Sequence, residues 1–265
     1  MLTQEQIKHF ETFGFLCSRQ LFSASEMEAI KLAAEQVWTE ELGKTPAADE
    51  EMHTVPFVER NETLLRLVDD DRIHGVISGL LGEDFIWSGS EGNRGFLKGT
   101  PIHHWHADRP GESELGYTRI KIMVYLDPTT KEEGAIRVIP GSHRLPLHED
   151  LRPFQENHIK HIDDFFGMKG PDVPCYAFES EPGDVLFFNQ SLFHGVYGKT
   201  GPRRYIALKF IARPTCDAHF ASLMRWSKYA FHPHERILDC DRPVIRKMVD
   251  GLDELREQAE SLADT

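Results

Sequence analysis

The sequence has no stretch approaching the eighteen or so apolar residues that a membrane-spanning helix requires. Its opening, MLTQEQIKHFETFGF, lacks the basic region and following apolar run of a secretory signal. Cysteine is scarce. Cys17, Cys175, Cys216 and Cys240 are scattered, with no CxxC pair among them, which argues against a disulfide framework or a thiolate metal site and fits reduced thiols. These absences predict a cytoplasmic protein with no membrane partner. Positive charge is in deficit too: 30 Lys and Arg stand against 43 Asp and Glu, a formal net charge of −13. Nucleic acid and anionic membrane surfaces are therefore not expected partners. There is no internal repeat, and no linker that would split the chain.

What is present is enough to bury a core. In 265 residues, 40% are hydrophobic and 17 are Phe, so one globular domain is expected over residues 1–265. Residues 1–83 read as helices around a short extended stretch. Thr3 with Gln6, and Ser23 with Glu26, form capping-box patterns ahead of helical stripes, and a third helix is predicted over 70–81, stopped by Gly82. Residues 43–52 are polar and read as a surface loop. From 84 to 212 the runs become short, β-branched or aromatic, and are punctuated by Gly and Pro. Strands are predicted at 84–89, 93–98, 103–108, 118–126, 134–139, 175–180, 185–189, 193–197 and 204–211. That makes a mainly β protein with flanking helices, a sandwich or barrel. A polar insertion rich in His and Asp lies at 144–174, where a lid is expected. Helices return over 216–230 and 242–263, within a C-terminal region 213–265.

The chemistry centres on His103-His104-Trp105-His106-Ala107-Asp108. Residues two apart on a strand face the same side, so His106 and Asp108 point together and can hold one face of an octahedral metal. His194, which follows the strong strand Gly183 to Asn189, is the best third ligand. Two His and one carboxylate leave three positions open, the arrangement of iron(II) oxygenases. A lone H-x-D is weak evidence, because 14 His and 43 acids generate such pairs by chance. The later histidine, its strand and the pair Arg203-Arg204 strengthen it. The same alternation predicts His104 on the metal side as a neighbour of the site, and His103 facing outward.

Several motifs resemble the phytanoyl-CoA dioxygenase family of iron(II)/2-oxoglutarate oxygenases. They are the opening L-T-Q-E-Q-I-K-H-F-E-T-F-G-F, F-L-K-G-T, W-H-A-D, E-G-A-I-R-V-I-P-G-S-H at 133–143, G-D-V-L-F-F-N-Q-S-L-F-H-G and R-R-Y-I-A-L-K-F. The resemblance runs along nearly the whole chain. It implies a double-stranded β-helix, a jelly-roll or cupin-like core. His106, Asp108 and His194 match the family's metal ligands for Fe(2+), with 2-oxoglutarate and O2 as co-substrates. Arg203 matches the arginine that grips the distal carboxylate of 2-oxoglutarate, a task suited to its planar fork; Arg204 is the fallback. Lys98 matches a lysine that helps bind the co-substrate, although a solvated strand-end lysine accounts for it equally well. Val196 departs from the family's Ser or Thr two residues after the distal histidine, and Tyr205 is a candidate replacement hydroxyl.

The resemblance implies hydroxylation of an unactivated C–H bond in a small-molecule or acyl-type substrate, with release of succinate and carbon dioxide. Desaturation, epimerisation and ring formation use the same ligands. Halogenases lack the carboxylate, so Asp108 favours hydroxylation. Two rivals remain: a non-catalytic barrel that binds or senses, and a cupin-like metal protein that works without 2-oxoglutarate.

Overall fold

The computed structural model describes residues 2–95, 103–111, 116–199 and 203–263. Its strands are β1 (Phe15–Ser18), β2 (Met52–Thr54), β3 (Phe85–Arg94), β4 (His103–His106), β5 (Arg119–Tyr125), β6 (Ile136–Val138), β7 (Tyr176–Phe178), β8 (Val185–Asn189), β9 (His194–Val196) and β10 (Tyr205–Ala212). Helices α1 (Gln4–Phe13), α2 (Ala24–Leu42), α3 (Glu62–Leu65) and α4 (Asp71–Leu81) come before the third strand. Helices α5 (Leu147–Asp150) and α6 (Arg152–Lys160) lie between β6 and β7. Helices α7 (Asp217–Ser227), α8 (Glu235–Leu238), α9 (Pro243–Val249) and α10 (Leu252–Ala263) close the chain.

The strands form two sheets, one in the order β1-β8-β5-β10-β3-β2 and one in the order β4-β9-β6-β7, with every pairing antiparallel. Period-two alternation explains how they pack. In β5 and β8, Met123, Tyr125, Leu186 and Phe188 point between the sheets and meet Ile136, Val138, Phe178 and Val196 of the smaller one. Their neighbours Ile122, Val124, Val185 and Phe187 point the other way, into a larger core with Ile30, Val37, Trp38, Ile73 and Ile77 of α2 and α4. Along most of β5 and β8 the larger sheet is thus apolar on both faces because both are covered. Two facing antiparallel sheets with helices on the outer face make the expected double-stranded β-helix.

Both capping boxes form. Thr3 N–H donates to Gln6 Oε1 at 2.9 Å and Ser23 N–H to Glu26 Oε2 at 2.7 Å. The third predicted helix is α4, capped by Asp70, whose side chain accepts from Arg72 N–H. Other expectations need correction. The strands predicted at 84–89 and 93–98 are one continuous strand, β3, running through Gly89 and Gly92, and residues 96–98 lie outside the described residues. The helix predicted over 242–263 is broken at Asp250-Gly251, where Gly251 takes φ 69°, so its stripe is split between α9 and α10. Met52 to Thr54, at the end of a predicted loop, adds an edge strand to the larger sheet.

The 144–174 segment is built as two helices and turns rather than as open loop. Its few apolar residues explain why. Leu151, Phe154, Phe165 and Val173 gather with Trp105, Phe193 and Tyr197 over the outer face of the smaller sheet. Among the described residues, no helix is long and apolar enough to cross a membrane.

Candidate active site

Strand pairing brings the two histidines together. His106 of β4 and His194 of β9 are direct register partners. Asp108, two residues beyond His106, places Oδ1 3.7 Å from His106 Nε2 and 3.8 Å from His194 Nε2. The three ligand atoms lie within 4.8 Å of one another. Each imidazole is oriented from behind: His106 Nδ1 is 2.8 Å from the His104 carbonyl, and His194 Nδ1 is 2.9 Å from the Leu192 carbonyl. A carbonyl can only accept, so both Nδ1 atoms carry the proton and Nε2 is the nitrogen each ring turns toward Asp108. The P-G-S-H element buttresses this end of β9. Phe193 N–H donates to Ser142 Oγ at 2.8 Å, and His148 Nδ1–H donates to the Ser142 carbonyl.

Electrostatics put His194 and Asp108 in their ligating forms. Burial pushes the His194 imidazole down to about 3, with the nearby His106 adding to it, so the ring is neutral at ordinary pH. Burial works against ionisation of Asp108, but the nearby Lys121 ammonium is the foremost influence that outweighs it, and the carboxyl is held well below its usual range. Two imidazoles and a carboxylate converging on one point suit a divalent cation.

A second histidine group, His103, His106 and His158, also lies within ligand range. Its rings are near-parallel, 15° between His103 and His106 and 21° between His106 and His158, each pair 4.4 Å apart. Stacked rings send their lone pairs along parallel planes, and they form a wall rather than a chelate. This reverses the predicted strand phase. The β4–β9 register shifts between His103 and His106, and that irregularity breaks the alternation. His103 therefore lines the cavity, while His104 turns toward Phe165, Tyr197 and Asp163 under α6.

The cavity holding the triad is about 520 Å³, and Arg203, Tyr205, Val196 and Phe188 are among the residues that line it. Arg203 is only 5% exposed. Its guanidinium donates to Tyr125 Oη at 3.2 Å and stacks 4.7 Å from the Tyr205 ring centre. Its Nε is buried with no partner, and no carboxylate pairs with it among the described residues. Arg204 points the other way, bonding Asp127 through its N–H and Nε at 2.9 Å and Glu35 at 2.6 Å. Strand alternation thus sends one arginine to the cavity and the other into structural ion pairs. Lys98 lies outside the described residues.

Sequence reasoning missed Tyr125, Lys121, Glu91 and Lys199, all close to this site. Lys121 and Glu91 line the cavity, and Lys121 Nζ lies 3.4 Å from Asp108 Oδ2 and 3.0 Å from Glu91 Oε1. Lys199 also lines it, its ammonium pushed down to about 8 by burial and by the Arg203 charge. A signal existed for two of the four: the β5 alternation places Lys121 and Tyr125 on the same inward face as Met123.

Known proteins share this architecture. The chain is 33% identical over 103 residues to the dioxygenase lolE1 of Epichloe uncinata, covering 37% of this chain and 35% of that protein. It is 23% identical over 229 residues to an ectoine dioxygenase of Sphingopyxis alaskensis, covering 76% of this chain and 72% of that one. Among solved structures, HygX of Streptomyces hygroscopicus with nickel and 2-oxoglutarate bound superposes with a TM-score of 0.63 at 21% identity, over 80% of this chain and 88% of HygX. The sequence pattern of the phytanoyl-CoA dioxygenase (PhyH) family matches residues 10–204. With most of its length inside that match, the chain belongs to the phytanoyl-CoA dioxygenase family of iron(II)/2-oxoglutarate-dependent dioxygenases.

Proposed function

We propose that this protein uses Fe(2+), 2-oxoglutarate and O2 to hydroxylate a C–H bond of a small-molecule or acyl-type substrate, releasing succinate and carbon dioxide. The observation that carries this reading is the Arg203 guanidinium. It is a buried cation without a carboxylate partner among the described residues, in the same cavity as a two-histidine, one-carboxylate cluster. An unpaired buried charge is costly, and a dicarboxylate co-substrate relieves that cost.

Each side chain then has a task. His106, Asp108 and His194 hold the metal, and the charge of Asp108 offsets part of the ion's own. Arg203 pairs with the distal carboxylate of 2-oxoglutarate, and Tyr125 fixes the orientation of the guanidinium. The iron and co-substrate supply the oxidising power; the protein supplies geometry and a dry site. Met123, Ile136, Phe188 and Val196 exclude water from the co-substrate's carbon chain. Glu51, His53, Asn93 and His103 line the same cavity and are available to a substrate. Those polar groups, and a relative named for the small molecule ectoine, favour a compact polar substrate over a long acyl chain.

Succinate formation tests the reading. Purified protein with iron(II) and 2-oxoglutarate should form succinate in air, faster when a metabolite mixture contains the substrate, and mass spectrometry should show a product heavier by one oxygen atom. A metal-dependent oxidation that leaves 2-oxoglutarate untouched would instead support a cupin-like enzyme of another class.

A further inference from the structure

Lys121 is a lysine where an apolar residue is expected. Its strand neighbours on the same face, Met123 and Tyr125, belong to the core between the sheets, and the Lys121 side chain is only 13% exposed. It belongs to a string of alternating charges that crosses three strands. Asp108 Oδ2 lies 3.4 Å from Lys121 Nζ, and Lys121 Nζ lies 3.0 Å from Glu91 Oε1. Glu91 Oε2 in turn accepts from Lys209 Nζ at 2.7 Å, with His53 Nε2 3.6 Å away. Lys121 and Lys209 are direct register partners on β5 and β10. Like charges opposite each other repel, and Glu91, reaching in from β3, bridges them.

The two oxygens of Asp108 have different surroundings. Oδ1 faces both imidazoles and Oδ2 faces the ammonium. A carboxylate free to turn can offer both oxygens to one ion and fill a position that two histidines and a one-oxygen carboxylate leave open. Resting on the oxygenase reading above, we propose that Lys121 is a positioning residue that holds Asp108 to a single ligating oxygen, with Glu91 anchoring Lys121 in place. Three coordination positions then stay open for co-substrate and dioxygen. Burying a lysine beside a metal ligand is costly unless its partners are well placed, and the Glu91 bridge meets that condition.

Manganese(II) is the probe, because its enhancement of water-proton relaxation reports how many waters the bound ion holds. Wild type, Lys121→Met, Lys121→Arg and Glu91→Gln would each be titrated with Mn(2+), then with 2-oxoglutarate, and circular dichroism would check the fold. Lys121→Met should lower the relaxation enhancement by about a third, three open positions becoming two. It should also weaken 2-oxoglutarate binding by roughly tenfold, the low end for loss of a group behind a metal ligand. Lys121→Arg should recover both, and Glu91→Gln should shift both part of the way toward Lys121→Met. If folded Lys121→Met keeps the wild-type enhancement and co-substrate affinity, the proposal is overturned. If Lys121→Met does not fold, Glu91→Gln decides, and wild-type values there overturn it as well. Wild type that fails to bind Mn(2+) would overturn the oxygenase reading itself, an outcome distinct from failure of the Lys121 assignment.

Discussion

The buried Arg203 guanidinium is held by a phenol: it donates to Tyr125 Oη at 3.2 Å, and no carboxylate pairs with it among the described residues. Burial pushes the Tyr125 hydroxyl up to about 12, against the pull of the Arg203 charge, so it is a neutral phenol at ordinary pH. Arg203→Ala should raise the KM for 2-oxoglutarate by roughly 10- to 150-fold, the equivalent of losing about 1.5–3 kcal/mol of charge-assisted pairing. Tyr125→Phe should raise it only a few-fold, since the arginine remains. Arg204→Ala should leave this KM unchanged and lower the melting temperature, because it breaks the pairs with Asp127 and Glu35. Steady-state kinetics on the three variants check this, and a larger KM effect at Arg204 would reverse the strand phase.

Gly170 tests how the 144–174 segment is anchored. A methyl group on Gly170 would overlap the Tyr197 ring. The Gly170 carbonyl also accepts from Trp105 Nε1 at 2.9 Å, and Tyr197 Oη accepts from Trp105 N–H at 3.2 Å. Gly170→Ala should therefore cost about 1–3 kcal/mol through overpacking, read as a lower denaturation midpoint. Hydrogen exchange should speed up first in α6, which rests on the same cluster. Unchanged exchange in α6 would detach the segment from this anchor.

His158, on α6, packs against His106, whereas His161 takes a left-handed turn at that helix's end. On the proposed reading, in which substrate-free consumption of 2-oxoglutarate draws on the metal site and Arg203, His158→Ala should change substrate preference while leaving that consumption within about twofold. Comparing coupled and uncoupled turnover separates the two effects. Equal loss of both would make His158 part of the metal's support.

Acid should weaken the β1–β8 junction. Asp184 accepts from Arg19 Nη1 at 2.7 Å, Gln20 N–H at 2.8 Å and Glu181 N–H at 3.1 Å. Burial opposes its charge, but these donors prevail and hold its carboxyl below the usual value. A carboxyl lowered on folding stabilises above its unfolded value of about 3.9, and that stability is lost as pH falls through the lower folded value. Asp184→Asn should cost about 2 kcal/mol at neutral pH, a gap that narrows on acidification below about pH 4. Denaturant titrations across pH measure it, and a constant gap would mean the charge is not the cause.

Much of this site was legible in the sequence, for local reasons. H-x-D on a strand end, a histidine after a strong apolar strand and the arginine phase of β10 all follow from period-two geometry. What failed was also local: one register shift exchanged the faces of His103 and His104, and no residue type in H-H-W-H-A-D announces it. The charge string escaped because Lys121, Glu91 and Lys209 come from separate strands and Asp108 from the turn after β4, and only the tertiary fold brings each within 3.4 Å of the next. In the 144–174 segment, polar composition hid four well-spaced apolar anchors.

The most direct test of the central claim is anaerobic addition of 2-oxoglutarate to the iron(II)-loaded protein, followed by visible absorption, because an α-keto acid chelated to iron(II) gives a charge-transfer band. Wild type should develop the band and saturate at about one iron per chain. His106→Ala, Asp108→Ala and His194→Ala, each still folded by circular dichroism, should lose it or bind iron far more weakly. No band in wild type, or an undiminished band in all three variants, would contradict the assignment of iron and 2-oxoglutarate to this site.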